Sequence, residues 1–351
     1  MIQQIPLLPD LAGSTAPLPL LGRQADISYH ATRAKSVLND PKSTGMGYWS
    51  INPYVGCAFG CAYCYARYTH RYVMERAAAK PDADLALRED LQKMPHWLAF
   101  ERHVVVKENA PSVLRKTLRQ GSAKHLGLIR GEAVVIGTAT DPYQPAERSY
   151  RVTRGILEVL ADHAEMKIVI ITKSPLVTRD IELLTRIARN SEVSVHISLI
   201  TLDRELARRL EPRAPTPESR LRALVRLRQA GIAAGVNCMP VLPGITDHPA
   251  ALDALVQRVA EADATYIGAC ALRLQSAARQ RYLPFIEQEF PHLASRYRKA
   301  YANGYQVSEG YREGLSRFFR GLCEKYGVGM RDYDEEDSES AIAEEQLRLS
   351  I

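Results

Sequence analysis

Residues 52–67 read NPYVGCAFGCAYCYAR, and this stretch decides how the rest of the chain is interpreted. It holds Cys57, Cys61 and Cys64, three of only six cysteines, in the spacing C-x3-C-x2-C. Two glycines interrupt the stretch, which is typical of a loop rather than of a packed helix or strand. Three thiols so close together on one loop favour a shared ligand over three separate buried side chains.

Structural zinc and an iron–sulfur cluster are the two groups that such a loop would bind. A structural zinc site needs four ligands. His70 is a candidate fourth ligand, but the usual second pair of ligands is absent from the sequence. A [4Fe–4S] cluster normally takes four thiolates. With three, one iron stays open for an exogenous ligand, and S-adenosylmethionine can chelate it through its amino and carboxylate groups. We therefore favour a cluster, with zinc as the alternative.

Short apolar runs alternate with amphipathic helical patterns along the chain. The runs are apolar almost throughout, as expected for strands that are covered on both faces. The predicted strands are 48–55, 133–137, 167–172, 193–200, 232–239 and 265–272. The predicted helices are 149–163, 179–190, 217–230 and 249–262. Strand–helix alternation with short connections predicts parallel strands with crossover helices.

This alternation predicts an α/β fold with six strand–helix units. Six units are too few for a closed eight-unit barrel, so an open six-unit barrel and an open doubly wound sheet both fit. In either architecture the chemistry lies at the carboxyl ends of the strands. The cysteine loop directly follows the first predicted strand, so it belongs at that edge. The run VVVKENA at 104–110 predicts an additional edge strand, followed by a helix over 111–119.

The chain divides into four predicted segments. An extended N-terminal lead-in covers residues 1–45, and the strand–helix domain covers 46–275, with an insertion at about 70–125. Residues 276–330 predict a helical C-terminal extension, and 331–351 an acidic, mobile tail.

Charge is distributed unevenly. The chain has a net charge of +6, whereas residues 331–351 carry −6, which leaves +12 on residues 1–330. A basic body fits a polyanionic partner such as nucleic acid, although other acidic partners fit nearly as well. Arginines of the stretch 273–320 are candidates for phosphate contacts, and Tyr282 and Tyr297 for base stacking. The same helices would alternatively only close the barrel.

The sequence does not indicate a membrane protein or a secreted protein. No apolar run approaches the roughly 18 residues that suggest a membrane span. The N-terminus has no basic region followed by an apolar core, so it does not resemble a secretory signal. Few cysteines in a chain of 351 residues do not suggest a disulfide framework. We expect a cytoplasmic protein with no membrane partner.

The cysteine spacing, with an aromatic residue before the last cysteine on the loop after the first strand, resembles the radical S-adenosylmethionine superfamily. Further stretches resemble its spore photoproduct lyase-like branch, whose members are often labelled DNA repair photolyase homologues. These stretches are GTATDPYQPAE (137–147), SLITLD (198–203), LEPRAPTPESRL (210–221) and PVLPGITD (240–247). The resemblance extends from about residue 26 to about residue 275.

The resemblance implies a partial (β/α)6 barrel and a radical enzyme. A [4Fe–4S] cluster on Cys57, Cys61 and Cys64 would reductively cleave S-adenosylmethionine to a 5′-deoxyadenosyl radical, which abstracts hydrogen from an undefined substrate. Nucleic acid is the favoured substrate class, and a flavodoxin or ferredoxin is the expected electron donor. The alternative is a nucleic-acid-binding module that zinc or a cluster stabilises and that performs no catalysis.

The resemblance also implies which residues bind the cofactor. Tyr63 would pack near the adenine or the cluster. Thr138, Thr140 and Asp141 follow the second strand of the series, where oxygen atoms would accept hydrogen bonds from the methionyl ammonium. The alternative for Asp141 is a turn with the following proline.

Residues after the later strands complete the implied cofactor site. Lys173 would pair with the methionyl carboxylate, unless it is only solvated. Ser198 and Thr201 would bind ribose hydroxyls. Asn237 and Met239 share one face of the fifth strand and would approach adenine or substrate, with core packing as the alternative. Glu211 and Arg220 predict a structural ion pair.

One departure concerns the hydrogen donor. Photoproduct lyases carry a cysteine just before the carboxylate that follows the second strand, and Thr138 stands at the matching position here. A hydroxyl O–H bond is too strong to replace a thiol, so we expect a different reaction from that lyase. Cys238 or Cys270 would be a substitute donor, or else a small core residue. Tyr65 is a candidate hydrogen relay, or an aromatic residue packed into the core.

Overall fold

The computed structural model describes residues 20–331, except for residues 25, 45, 72–88, 90–91 and 120–131. The β-strands are β1 Leu20–Gln24, β2 Ile27–Thr32, β3 Leu38–Asn39, β4 Trp49–Ile51, β5 Tyr54–Val55, β6 His103–Lys107, β7 Ala133–Ile136, β8 Lys167–Thr172, β9 Glu192–Ser198, β10 Ala233–Val241, β11 Tyr266–Ala271 and β12 Gly329–Arg331. The α-helices are α1 Pro41–Thr44, α2 His96–Ala99, α3 Ala110–Arg119, α4 Ala146–Tyr150, α5 Val152–Leu160, α6 Ile181–Ala188, α7 Arg204–Leu210, α8 Pro217–Gln229, α9 Pro249–Glu261, α10 Ser276–Glu289, α11 Ala294–Ala300 and α12 Glu309–Tyr326.

The main sheet is open and wound in one direction. Within the described residues its strand order is β12-β11-β10-β9-β8-β7-β4-β3, and every pair is parallel except β3 with β4. Because the order never reverses, right-handed crossovers place their helices on one face of the sheet. The fold is therefore a partial barrel and not a doubly wound sheet. The predicted helices within 149–163, 179–190, 217–230 and 249–262 are confirmed as α5, α6, α8 and α9.

Alternating strand residues separate the two faces of this sheet. Side chains such as Ile170, Val195 and Val236 point to the helix layer, where they form one apolar core with α5, α6, α8, α9 and α12. The residues between them point to the inner face, because successive strand side chains face opposite sides. Ser198 and Asn237 are paired on this inner face.

A second, four-stranded sheet has the order β1-β2-β6-β5. The prediction that residues 104–110 form an edge strand is wrong, because β6 lies between β2 and β5. All five residues of β6 are buried, as a strand paired on both sides requires. This sheet supports the entry to the cysteine loop, since β5 ends at the residue before Gly56.

The C-terminal region adds both helices and a strand. Helices α10 and α11 belong to a second apolar cluster, which also contains Cys57, Cys61 and Tyr63 of the cysteine loop. Strand β12 extends the main sheet beyond β11, which the sequence pattern did not predict. The boundaries predicted for the lead-in, insertion, extension and tail stay predictions, and residues 1–19 and 332–351 lie outside the described residues. None of the described helices combines the length and apolar character that a membrane crossing requires.

His196 is buried on the inner face within β9, where it pairs in register with Gly235 of β10. Its ring meets Tyr266 edge-on at 4.9 Å, and its Nε2 lies 3.3 Å from a guanidinium nitrogen of Arg331. Burial, together with the Arg331 cation, lowers the pKa of His196 to about 3. The folded protein therefore keeps this side chain neutral at pH values where an unfolded chain protonates it.

His196 should make the fold sensitive to acid. A depressed histidine pKa stabilises the fold fully above the unfolded pKa of about 6.5, and this stabilisation is lost as the pH falls from 6.5 towards 3. In urea unfolding, the free energy of unfolding of the wild type should fall between pH 7.5 and 5. We expect this fall to be about 2 kcal/mol smaller in His196→Gln. The exposed His292→Gln controls for loss of a histidine. Equal pH dependence in the His196 variant and the wild type would contradict the assignment.

Candidate active site

The cysteine loop begins at Gly56, whose backbone is left-handed with a φ of +85°. A Cβ added there would lie 2.8 Å from the Phe100 carbonyl oxygen, so only glycine fits. The Cys57 amide donates to the same carbonyl at 2.9 Å. Cys57 and Cys61 are buried and Cys64 is half-buried, directly before a 3₁₀ turn over Tyr65–Thr69. The single strand predicted over 48–55 is wrong, because the structure divides it into β4 of the main sheet and β5 of the second sheet, and the loop follows β5.

The three thiols are free and lie near one another. Burial raises the pKa of Cys57 to about 12, with a further contribution from Asp141 and Cys64, and burial also raises the pKa of Cys61 and Cys64. Among the described residues, no three His, Cys, Asp or Glu side chains are already arranged around one metal position. Three thiols on one loop are the ligand number of a cluster with one open iron, whereas a closed zinc site takes four ligands.

His70, the candidate fourth zinc ligand, does not join the thiols. It is fully buried, and its ring packs edge-on against Phe100. Burial lowers its pKa to about 3, with further lowering by His103, His96 and His30, so its ionisable neighbours are other histidines.

Gln144 fastens the cysteine loop to the loop after β7. Its amide nitrogen donates to the Gly56 carbonyl at 3.1 Å and to Thr140 Oγ1 at 2.9 Å, and its Oε1 accepts from the Ala58 amide at 2.9 Å. Thr140 itself donates to the Gly56 carbonyl at 2.6 Å. Gln144 is completely buried, so all of these groups depend on one another for hydrogen bonds.

Asn52 makes a second connection between the same two loops. Its amide donates to Thr138 Oγ1 at 3.0 Å, and its Oδ1 accepts from the Ala139 amide at 2.8 Å. The Tyr65 hydroxyl donates to the Thr138 carbonyl, although the Tyr65 ring is 53% exposed. Thr138 and Thr140 therefore occupy the predicted region, and their hydroxyls hold the two loops together. Tyr65 is not packed into the core.

Asp141 joins the ends of β7 and β8. Its carboxylate accepts from Thr172 Oγ1 at 2.7 Å, from the Lys173 amide at 2.7 Å and from the Tyr143 amide at 2.9 Å. Burial raises the pKa of Asp141 despite these donors. The contact with the Tyr143 amide forms the predicted turn. Asp141 also lies beside the cysteine loop, since it is an electrostatic neighbour of Cys57.

Glu211 contacts three other residues that the sequence analysis named: Tyr63, Arg220 and Lys173. Its carboxylate accepts from the Tyr63 hydroxyl, forms an ion pair with Arg220, and lies 3.8 Å from Lys173 Nζ. Burial acts to raise the pKa of Glu211, but Arg220 and Lys173 hold it below its ordinary value. Burial acts to lower the pKa of Lys173, but Cys61 and Glu211 raise it. The predicted ion pair is confirmed, and Lys173 is not simply solvated.

The remaining predicted residues lie along β9 and β10. Ser198 pairs in register with Asn237 on the inner face, and Met239 follows on the same face. Thr201 Oγ1 accepts from the Asp203 amide at the start of α7. Cys238 points the other way and is fully buried in the helix-side core. Its role as hydrogen donor stays a prediction that this placement does not support.

Sequence reasoning missed the residues that hold the site together. Asn52, Gln144 and Arg213 were not singled out, although each lies in a quoted stretch: NPYVGC, DPYQP or LEPRAP. Arg213 Nε donates to the Ala58 carbonyl at 2.6 Å, and its amide donates to the Phe59 carbonyl at 3.3 Å. Polar residues within a cofactor motif are the signal that would have indicated them.

The sequence pattern of the radical SAM superfamily matches residues 51–255, which is more than half of the chain and contains the cysteine loop. The protein belongs to the radical SAM superfamily. One relative is an uncharacterized protein of Mycobacterium tuberculosis. It is 36% identical over 302 residues, which are 86% of this chain and 81% of that protein. An uncharacterized protein of Methanocaldococcus jannaschii is 30% identical over 61% of this chain and 68% of its own.

Solved structures give the same radical SAM fold. Spore photoproduct lyase complexed with dinucleoside spore photoproduct aligns over 92% of this chain and 88% of its own, with a TM-score of 0.58 and 15% identity. A mutant of that lyase with bound AdoMet and the same dinucleoside aligns over 81% of this chain and 75% of its own, with a TM-score of 0.55 and 15% identity. At this identity the likeness shows the shared fold alone.

Replacement of Gln144 tests the connection between the two loops. Gln144→Ala leaves the Ala58 amide buried without a partner and removes one of the two donors to the Gly56 carbonyl, so we expect a loss of about 1–3 kcal/mol in free energy of unfolding. Urea unfolding measures it. The exposed Gln257→Ala, which loses only a bond to Glu261, is the matched control. A loss in the Gln144 variant no larger than in the control would contradict this role.

Removal of Arg220 tests the buried ion pair. Arg220→Ala leaves Glu211 buried and short of a cation, which should cost about 3–5 kcal/mol in free energy of unfolding. The exposed pair of Arg258 and Glu261 is the control, where Arg258→Ala should cost under about 1 kcal/mol. The double variant Arg220→Met/Glu211→Leu should recover part of the loss in a denaturant titration, because the carboxylate that Arg220 neutralised is removed together with it. Equal losses at both pairs would refute the assignment.

Proposed function

We propose that this protein is a radical SAM enzyme that holds a [4Fe–4S] cluster on Cys57, Cys61 and Cys64. The observation that carries the proposal is the placement of three free thiols on one loop at the carboxyl edge of an open parallel barrel. When bound, the reduced cluster supplies the electron that cleaves S-adenosylmethionine to a 5′-deoxyadenosyl radical. The substrate would lose hydrogen to that radical.

The surrounding residues would hold the methionyl end of S-adenosylmethionine. Asp141 presents a carboxylate beside Cys57, which suits an ammonium group. Lys173 presents an ammonium 3.8 Å from Glu211, which suits a carboxylate group. Glu211 and Arg220 keep Lys173 and Tyr63 in place and do not themselves react.

The inner face of the barrel would receive the nucleoside and the substrate. Ser198, Asn237 and Met239 line that face, and Tyr65 exposes its ring at the mouth while its hydroxyl is anchored on Thr138. A fixed hydroxyl next to the cysteine loop suits a hydrogen relay. Cys270 shares this face with Asn237 by strand register, whereas Cys238 does not.

We propose nucleic acid as the substrate class, because residues 1–330 carry a net charge of +12, which would attract a polyanion. Base stacking by the C-terminal helices does not contribute, because Tyr282 and Tyr297 are buried against each other with ring centroids 5.6 Å apart. Single-strand and double-strand oligonucleotides are therefore the first substrates to test for stimulated turnover.

Replacement of a thiol tests the cluster assignment. After anaerobic reconstitution with iron and sulfide, the wild type should hold about four irons per chain. With dithionite and S-adenosylmethionine it should release 5′-deoxyadenosine. Cys61→Ala should lose both the iron and the product, because two thiolates cannot retain the cluster. Iron analysis and liquid chromatography measure these outcomes.

Cys323→Ala is the control, since Cys323 is buried in α12 within the helix-side core. It should retain both iron and product. A colourless wild type with one zinc per chain would instead favour the nucleic-acid-binding module without catalysis. Product formation by Cys61→Ala would refute the cluster assignment.

A further inference from the structure

Tyr65 exposes an aromatic ring at the mouth of the barrel. Its side chain is 53% exposed, and among the described residues the other large apolar side chain that is exposed is Phe318 of α12. Tyr65 directly follows Cys64, and its hydroxyl donates to the carbonyl of Thr138 in the loop after β7. The ring is therefore held beside the cysteine loop, at the carboxyl edge of the sheet where the proposed chemistry takes place.

The orientation of Tyr65 is opposite to that of an ordinary surface tyrosine. A surface tyrosine usually packs its apolar ring against the protein and directs its hydroxyl to water. Here the hydroxyl points inwards, where Cys64 of the loop and Cys270 of β11 are among its electrostatic neighbours, and the ring is left to solvent. An exposed apolar ring that a hydrogen bond holds in place is a surface that a planar ligand can cover.

Two further tyrosines lie next to Tyr65. Tyr68 comes three residues later in the 3₁₀ turn Tyr65–Thr69, and side chains at this spacing are eclipsed, so both rings lie on one face of the turn. Tyr48, the residue before β4, is another electrostatic neighbour of the Tyr65 hydroxyl. Both are half-buried. We define Tyr48, Tyr65 and Tyr68 as the tyrosine platform.

The tyrosine platform supplies an aromatic surface that other tyrosines near the mouth do not. Tyr282 and Tyr297 of the C-terminal helices are buried, and so are Tyr63 of the cysteine loop and Tyr143 of the loop after β7. Stacking of a nucleic-acid base requires an exposed ring face, and it tolerates any sequence because every base has such a face. Among these tyrosines, only Tyr65 meets that requirement.

We propose that the tyrosine platform stacks one unpaired base of a single-stranded nucleic acid and presents it to the cysteine loop. This inference rests on the proposed function, in which nucleic acid is the substrate class. A base within a duplex is already stacked between its neighbours, so its face becomes available to a protein ring only when the nucleotide leaves the helix. A single strand offers its bases without that cost.

Base and phosphate contribute separately to this binding. The net charge of +12 over residues 1–330 attracts the phosphates of any strand, whatever its bases. Stacking on Tyr65 depends instead on the base, and on the ring of the tyrosine rather than on its hydroxyl. The adenine of S-adenosylmethionine is the other planar group that the proposed function brings to the barrel. Since that function assigns the nucleoside to Ser198 and Asn237, loss of the Tyr65 ring should leave cofactor affinity unchanged.

Strand binding by the reconstituted full-length protein tests the platform. Fluorescence anisotropy gives the dissociation constants of a single strand of about twelve thymidines and of an abasic strand with the same phosphates. The wild type should bind the thymidine strand about tenfold more tightly, because only that strand can stack. Tyr65→Leu should lose this preference, whereas Tyr65→Phe, which keeps the ring, should retain it. Phe318→Leu, at the other exposed ring, is the matched control and should bind like the wild type.

A crosslink tests the same contact without a substitution, in case Tyr65→Leu folds poorly. A single strand with one photoreactive thiothymine is irradiated with the wild type, and mass spectrometry should find the crosslink on the peptide that contains Tyr65. Crosslinks confined to other peptides would overturn the proposal. So would an unchanged preference for the thymidine strand in Tyr65→Leu.

Three further comparisons separate this proposal from its neighbours. A loss of affinity in Tyr65→Leu for S-adenosylmethionine alone would assign the ring to the cofactor's adenine and overturn the platform. An equal loss for a double strand would overturn the assignment to an unpaired base. If the wild type releases no 5′-deoxyadenosine with dithionite, the radical assignment fails, while the strand comparison still decides the platform. If it binds neither strand, the platform is overturned even where 5′-deoxyadenosine is released.

Discussion

The buried hydrogen bonds of Gln144 are the contact on which the site depends. One side chain satisfies the Gly56 carbonyl, the Ala58 amide and the Thr140 hydroxyl, so it joins the cysteine loop to the loop after β7. Such buried polar groups are costly to separate, since loss of Gln144 leaves the Ala58 amide without a partner. The loop that carries the thiols is therefore fixed by the same contacts that fix the end of the next strand.

A second contact fixes the loop from the other side. The 210–216 segment donates and accepts at four points: Leu210 with Ala62, Glu211 with Tyr63, and Arg213 with both Ala58 and Phe59. Glu211 is held as a carboxylate by Arg220 and Lys173, so its charge is neutralised inside the protein. A cofactor loop held in this way keeps its ligands oriented, which is how residues around a ligand set tune a metal group.

The inner face of the barrel is polar where the outer face is apolar. Ser198 and Asn237 lie side by side on it, while Val195 and Val236 pack under the helices. Because every crossover helix covers the same face, the other face is free to receive ligands. This asymmetry explains why Cys238 and Cys270, on neighbouring strands, point to different environments.

The sequence by itself determined the strand–helix order, the cysteine loop and most of the polar residues near it. These are local signals: apolar runs set the strands, and the spacing of Cys57, Cys61 and Cys64 puts three thiols on one loop. Only the tertiary structure decided that the sheet winds in one direction, that β6 is an inner strand, and that Tyr282 and Tyr297 are buried. It also showed that Gln144 and Arg213 hold the cysteine loop in place by hydrogen bonds. Pairing and burial depend on contacts between residues far apart in the chain, which no local pattern records.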